Sequence, residues 1–134
     1  MSASTMPTVT TTAIPCILGD ELELFRESVR AFSHARLASG YLDRALNDEF
    51  PWDVYRALAG QGLIGLEVSA EHGGQGADHL AAGIAVEEIA RADFNAAYMV
   101  FSSTLMGSIV ERFSPLAADA SPAARPAATK AVVR

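Results

Sequence analysis

Lysine is almost missing from this chain: nine of its ten basic residues are arginines, and the one lysine, Lys130, stands near the C-terminal end. Without a Gly-Lys-Ser/Thr step there is no Walker-type phosphate loop, and the body holds no Schiff-base lysine. Cysteine is as scarce. Cys16 alone makes neither an intrachain disulfide nor a cysteine-built zinc site, so a reducing cytoplasm is the expected location. Positive charge is in deficit, with 16 acidic residues against 10 basic ones and a net charge of −6. No face gathers arginines, which argues against a nucleic-acid-binding module. Long apolar runs are absent too: none reaches the roughly 18 residues of a membrane span. The first 13 residues lack the basic region and apolar core of a secretory signal.

What is present fits one ordinary domain. A length of 134 residues leaves no room for separate cofactor and substrate domains. A hydrophobic content of 50% is too high for a wholly disordered chain. Three zones divide it. Residues 1–16 are rich in Ser, Thr and Pro without periodicity, and read as a flexible leader. Residues 17–113 hold the strong patterns. Residues 114–134 carry eight alanines and three prolines (Pro115, Pro122 and Pro126), which predicts a disordered tail. That tail is net +2, so the remainder carries −8.

The middle zone reads as an all-α bundle of about four main helices. Leu18, Leu22, Phe25, Val29 and Phe32 recur at steps of four and three, one apolar stripe on a first helix. Asp20 and Glu23 have the spacing of a capping box at its start. Arg26 and Arg30, beside Glu23 and Glu27, read as a solvated face. Pro51 suits the first position of a second helix, with Trp52, Tyr55, Leu58 and Ala59 as its apolar side and Gly60 or Gly62 at its end. Residues 63–68 are a short apolar stretch, extended or turning. Residues 71–76, Glu-His-Gly-Gly-Gln-Gly, lack the third glycine of a dinucleotide fingerprint and read as a tight turn needing positive φ. Asp78 is placed to cap a third helix running to about Arg91, with Leu80, Ala81, Ile84, Ala85 and Glu88 along one side and Ala82, Val86 and Ile89 along another. Asp93 or Asn95 caps a fourth, about 96–112, that is apolar around its whole circumference. Such a helix is central in its bundle or pressed between two partners.

Spacing yields no catalytic constellation. His34, His72 and His79 lack metal-ligand partners at helical spacing, so no metal site is predicted and each reads as a surface or capping histidine. Of Glu87 and Glu88, one is a candidate for an inward carboxylate with a raised pKa; the simpler reading pairs one of them with Arg91 on the surface. Ser102, Ser103 and Thr104 have no base nearby in sequence, and hydroxyls in an apolar helix usually bond to the preceding turn.

Taken together, residues 22–32, 49–52, 58–66, 71–76 and 87–93 stand in an order and spacing that resembles the N-terminal helical domain of the acyl-CoA dehydrogenases, over about residues 18–114. The resemblance implies a complete architecture of three domains, of which this chain holds the first. It implies an enzyme using FAD to oxidise the Cα–Cβ bond of an acyl-CoA thioester, with a carboxylate removing the α-proton and the flavin accepting the β-hydride. FAD and the catalytic glutamate belong mainly to the other two domains, so no catalytic residue is expected here and FAD is not expected to bind this chain alone. Carried onto this sequence, the wall that the first domain adds to the acyl pocket comprises Ala97, Tyr98, Phe101 and Leu105. Phe101 is bulky, which implies a short acyl chain. The chain is then a truncated member, an out-of-frame product of GC-rich coding DNA, or a natural non-catalytic subunit docking a larger flavoenzyme subunit. An acyl-CoA oxidase or flavin monooxygenase of the same fold is a further alternative. The all-apolar fourth helix implies homo- or hetero-oligomerisation through an exposed face.

Overall fold

Apolar residues recurring with helical period, separated by Asp and Gly breakers, produce a structure whose regular elements are all helical. The computed structural model describes residues 18–114; the predicted leader and most of the predicted tail lie outside them. The elements are α1 (Asp20–Arg36), a 3-10 turn (Ala38–Gly40), α2 (Tyr41–Ala45), α3 (Trp52–Gly60), a second 3-10 turn (Ala70–His72), α4 (His79–Ala90) and α5 (Phe94–Phe113). Four are main helices, as expected; the short α2 and its 3-10 lead-in are additions. Among the described residues no helix is long and apolar enough to cross a membrane.

Most of the α1 stripe faces inward as expected, Val29 buried and Phe25 and Phe32 packed against the core, but its first member, Leu18, precedes the helix, which starts at Asp20. The capping box does not form. Gly19 is the N-cap, its carbonyl accepting from the Glu23 N–H at 3.1 Å, with no side-chain cap. Asp20 therefore sits inside the first turn with Glu21 and Glu23, where negative charge complements the helix dipole. Pro51 likewise stands one position earlier than predicted, as the N-cap of α3. The inward side of α3 is Val54 and Leu58, with Tyr55 packed against the core. Trp52 and Ala59 are exposed instead; Trp52 meets Phe50 edge-on at 4.7 Å and Tyr55 at 5.9 Å, a surface aromatic cluster.

Residues 61–78 contain no strand. Leu63, Ile64, Leu66 and Val68 fill the core from an irregular path. The Gly-rich segment is the tight turn expected: Gly73 has φ 90° and Gly76 φ 63°, the left-handed region open to glycine. Gly74 serves a different need, because a Cβ there would lie 2.0 Å from the Val68 carbonyl oxygen.

The Asp78 and Asp93 caps both form, accepting from the Ala81 N–H at 2.8 Å and the Ala96 N–H at 3.1 Å. Helix α4 packs between α1 and α5. Its Ile84, Ala85 and Ile89 are buried, whereas Leu80 is exposed. Helix α5 divides its apolar residues by size. The buried ones are small or slender (Ala96, Ala97, Val100, Thr104 and Gly107), which lets α4 and α5 approach closely. Most of the large ones face outward, Met99 excepted, which packs against the core.

Candidate functional site

A groove of about 400 Å³ runs between α4 and α5. Ala82, Gly83 and Val86 form its α4 wall, and Phe101, Thr104 and Leu105 its α5 wall, with Glu67 and His79 at the rim. The volume falls within the range of small-molecule sites, and the lining is mostly apolar with few polar groups, as such sites commonly are.

The rim is an ion pair. His79 Nδ1 lies 2.6 Å from Glu67 Oε1, and the Ser108 hydroxyl donates to the other carboxylate oxygen at 3.4 Å. The hydrogen bond to Glu67, reinforced by that carboxylate's charge, raises the His79 pKa above the usual imidazole value. These two titratable groups are thus committed to each other at the groove mouth. Nothing among the described residues places a free base or an activated nucleophile against the apolar walls. Ser103 instead donates to the Val100 carbonyl at 2.9 Å, the back-bond expected of a helical hydroxyl.

Of the four residues assigned to an acyl wall, Phe101 and Leu105 line the groove. Ala97 is buried in the core, and Tyr98 lies outward, its ring 6.4 Å from that of Phe101. In the sequence Glu67 is no more than one member of the apolar stretch 63–68. Its pairing with His79, 12 positions away, leaves no trace in helical spacing.

Two polar clusters, each with a buried member, lie outside the groove lining. Glu88 is the inward carboxylate of its pair, while Glu87 bonds Arg91 at the surface at 2.6 Å. Arg30 grips Glu88 with two hydrogen bonds of 2.9 Å each, and Arg26 stands 3.7 Å away. The predicted solvated face of α1 is therefore an arginine clamp across to α4. The raised Glu88 pKa is reversed as well: the Arg30 hydrogen bonds outweigh burial, and neighbouring arginine charges add to them, holding the carboxyl below its ordinary value. Glu88 is thus paired with an arginine rather than left as a free base.

The second cluster joins the Gly-rich turn to α5. His72 is buried rather than superficial, with Nδ1 against Glu111 Oε1 and 2.9 Å from Ser69 Oγ. Ser69 also gives Glu111 its hydroxyl and its backbone N–H, the latter at 3.2 Å. Burial raises the Glu111 pKa, but the Ser69 and His72 hydrogen bonds outweigh it and leave the carboxyl lowered. One ligand atom each from Glu71, His72 and Glu111 fall within 4.8 Å of one another, a set able to hold a cation. His72 and Glu111 are already mutually satisfied, however, and as they stand they tie loop to helix. His34 is exposed, as expected.

A family model described as the N-terminal domain of acyl-CoA dehydrogenase matches residues 19–117. Curated relatives agree. A probable acyl-CoA dehydrogenase, fadE25, of Mycobacterium leprae is 37% identical over 79 residues, 59% of this chain and 20% of its own length. An acyl-CoA dehydrogenase of Bacillus subtilis is 32% identical over 71 residues, covering 53% and 19%. The mouse mitochondrial long-chain specific acyl-CoA dehydrogenase is 32% identical over 80 residues, covering 60% and 19%. The matched part of the chain spans about one fifth of the length of these relatives.

Proposed function

The chain belongs to the acyl-CoA dehydrogenases, whose N-terminal domain it carries, and from this we propose that the α4–α5 groove forms one wall of a fatty-acyl pocket in an FAD-dependent α,β-oxidation of an acyl-CoA thioester. The observation that carries the reading is the groove itself: an apolar trough whose bulky members, Phe101 and Leu105, are two of the residues the family resemblance assigns to acyl contact. Phe101 narrows that trough, which favours a short acyl chain. Ala97, buried, and Tyr98, exposed, do not line the groove, and the acyl role of the wall rests here on Phe101 and Leu105.

The flavin dinucleotide does not fit this groove. Its pyrophosphate needs cations or converging backbone N–H groups, whereas the groove offers an apolar lining with the Glu67 carboxylate at its rim and no arginine. We assign flavin binding and proton abstraction to parts of the family architecture outside this domain. The role proposed for the described residues is to bind and orient the acyl chain and exclude water. A cytoplasmic location belongs to the same reading, supported by the single cysteine.

The test is a titration of the ¹⁵N-labelled chain with butyryl-CoA and palmitoyl-CoA, followed by NMR. Shift changes should gather at Ala82, Val86, Phe101 and Leu105, with the shorter chain fitting better, and Phe101→Ala should move the preference toward the longer one. Perturbations absent from the groove, or scattered over the surface, would overturn the proposal.

A further inference from the structure

Glycine in the interior of a helix weakens it, because it loses the most backbone freedom on folding and offers no side chain in return. Three glycines lie within the α-helices of the described residues: Gly60, Gly83 and Gly107. Gly60 is the last residue of α3, where the helix ends in any case. Gly107 is needed for packing, since a Cβ there would run into Val68. Gly83 has neither reason. It stands inside α4, its φ is not positive, and a Cβ built on it meets no atom of the described residues within 4 Å. Neither backbone conformation nor internal packing requires a glycine at that position.

What the missing side chain does leave is room in the groove. Gly83 is exposed and belongs to the α4 wall with Ala82 and Val86. The short turn at residues 91–93 brings α5 back alongside α4, and Gly83 stands as far before the end of α4 as Phe101 stands after the start of α5. The smallest residue of one wall is thus set against the bulkiest of the other. Phe101 and Leu105 limit how far a chain can reach, whereas the gap at Gly83 adds width at its side. Width without length suits a short chain that carries a branch.

We propose that Gly83 is a specificity-determining residue, opening the groove to a methyl-branched short acyl chain. The inference rests on the acyl reading of the groove, and adds to it the shape of the chain and the α4 residue that admits it. An alanine methyl at 83 would take the place of the substrate's own branch. The same methyl would make α4 a better helix, so affinity and stability should move in opposite directions.

The test titrates the full ¹⁵N-labelled chain and its Gly83→Ala variant with isobutyryl-CoA and butyryl-CoA, isomers of equal carbon number, and follows urea unfolding of both by circular dichroism. The wild-type chain should bind both esters at the groove residues, isobutyryl-CoA the more tightly. Gly83→Ala should weaken isobutyryl-CoA about tenfold and butyryl-CoA by less than about threefold, one methyl group being felt at the lower end of what an apolar pocket discriminates. It should also raise the folding equilibrium constant about fivefold. Gly60→Ala, whose added Cβ likewise meets nothing, lies outside the groove and should leave both affinities unchanged. Binding of neither ester at the wild-type groove would overturn the acyl reading and the role of Gly83 with it. Wild-type binding that Gly83→Ala leaves unchanged, or weakens equally for the two esters, would overturn the role of Gly83 alone. A Gly83→Ala chain that is less stable than wild type, or fails to fold, would do the same by showing that the glycine serves the fold.

Discussion

Asp93 performs two tasks at once, and substitution can separate them. One carboxylate oxygen caps α5 through the Ala96 N–H, and the other accepts from Arg44 Nε at 2.8 Å. The Asp93 side chain is 1% exposed and that of Arg44 18%, and Arg44 also donates to the Leu37 carbonyl. Asp93→Asn keeps the cap, since Asn caps as well as Asp, and exchanges a charge-assisted hydrogen bond for a neutral one. The loss should be about 1–2 kcal/mol. Asp93→Ala removes both functions, adding about 1 kcal/mol for the cap. Arg44→Met should be worse than Asp93→Asn, because it strands a buried anion whose remaining hydrogen bond is the Ala96 N–H. Breaking a buried pair from one side costs about 3–5 kcal/mol, of a total that for a domain is about 5–15 kcal/mol. Urea unfolding followed by circular dichroism reads all three. With a slope of about 1.5 kcal/mol/M, a 3 kcal/mol loss moves the midpoint by about 2 M. The double variant Asp93→Asn/Arg44→Met should recover part of the Arg44→Met loss. If Arg44→Met proves no costlier than Asp93→Asn, or Asn costs as much as Ala, the division of labour is wrong.

Acid should weaken the fold through Glu88 and Glu111. Both carboxyls are lowered in the folded state, so their stabilisation is present above the unfolded value of about 4.3 and is lost as pH falls through the folded values. Denaturation midpoints measured from neutral pH down to about pH 3 should fall, and Glu88→Gln should flatten that fall. Gly76→Ala isolates backbone conformation from packing, because a Cβ there meets nothing closer than 3.9 Å while φ is 63°. A loss of about 1–2 kcal/mol is expected, and Gly76→Asn should lose less, since Asn enters the left-handed region more readily. Equal losses for the two in urea unfolding would point to packing instead.

The main helices were legible because stripe and caps agree locally: Leu22 to Phe32 for α1, and Asp78 and Asp93 for the starts of α4 and α5. Helix α2 was not. Five residues carry no period, and what holds the segment is Arg44 reaching Asp93, 49 positions away. Glu88 shows the limit again, because an acid in an apolar helix signals an inward carboxylate without naming its partner. Arg30 stands 58 positions off. The outward turn of the α5 aromatics was hidden too. A helix apolar on every side gives no period to read, and only packing against α4 selected the small residues for the interior. Within the groove, Phe101 and Leu105 came from family resemblance, whereas Glu67 had no local signal.

Val68 is fully buried, and the space around it belongs to three residues in common. A Cβ on Gly74 would strike its carbonyl oxygen, and one on Gly107 would come within 2.4 Å of its Cγ2. Loop and helix therefore meet through one valine set between two missing side chains. Across homologous chains these three positions are expected to vary as a unit, a larger residue at 107 appearing with a smaller one at 68. The contact would then be written into the sequences as correlated change rather than as any single conserved residue.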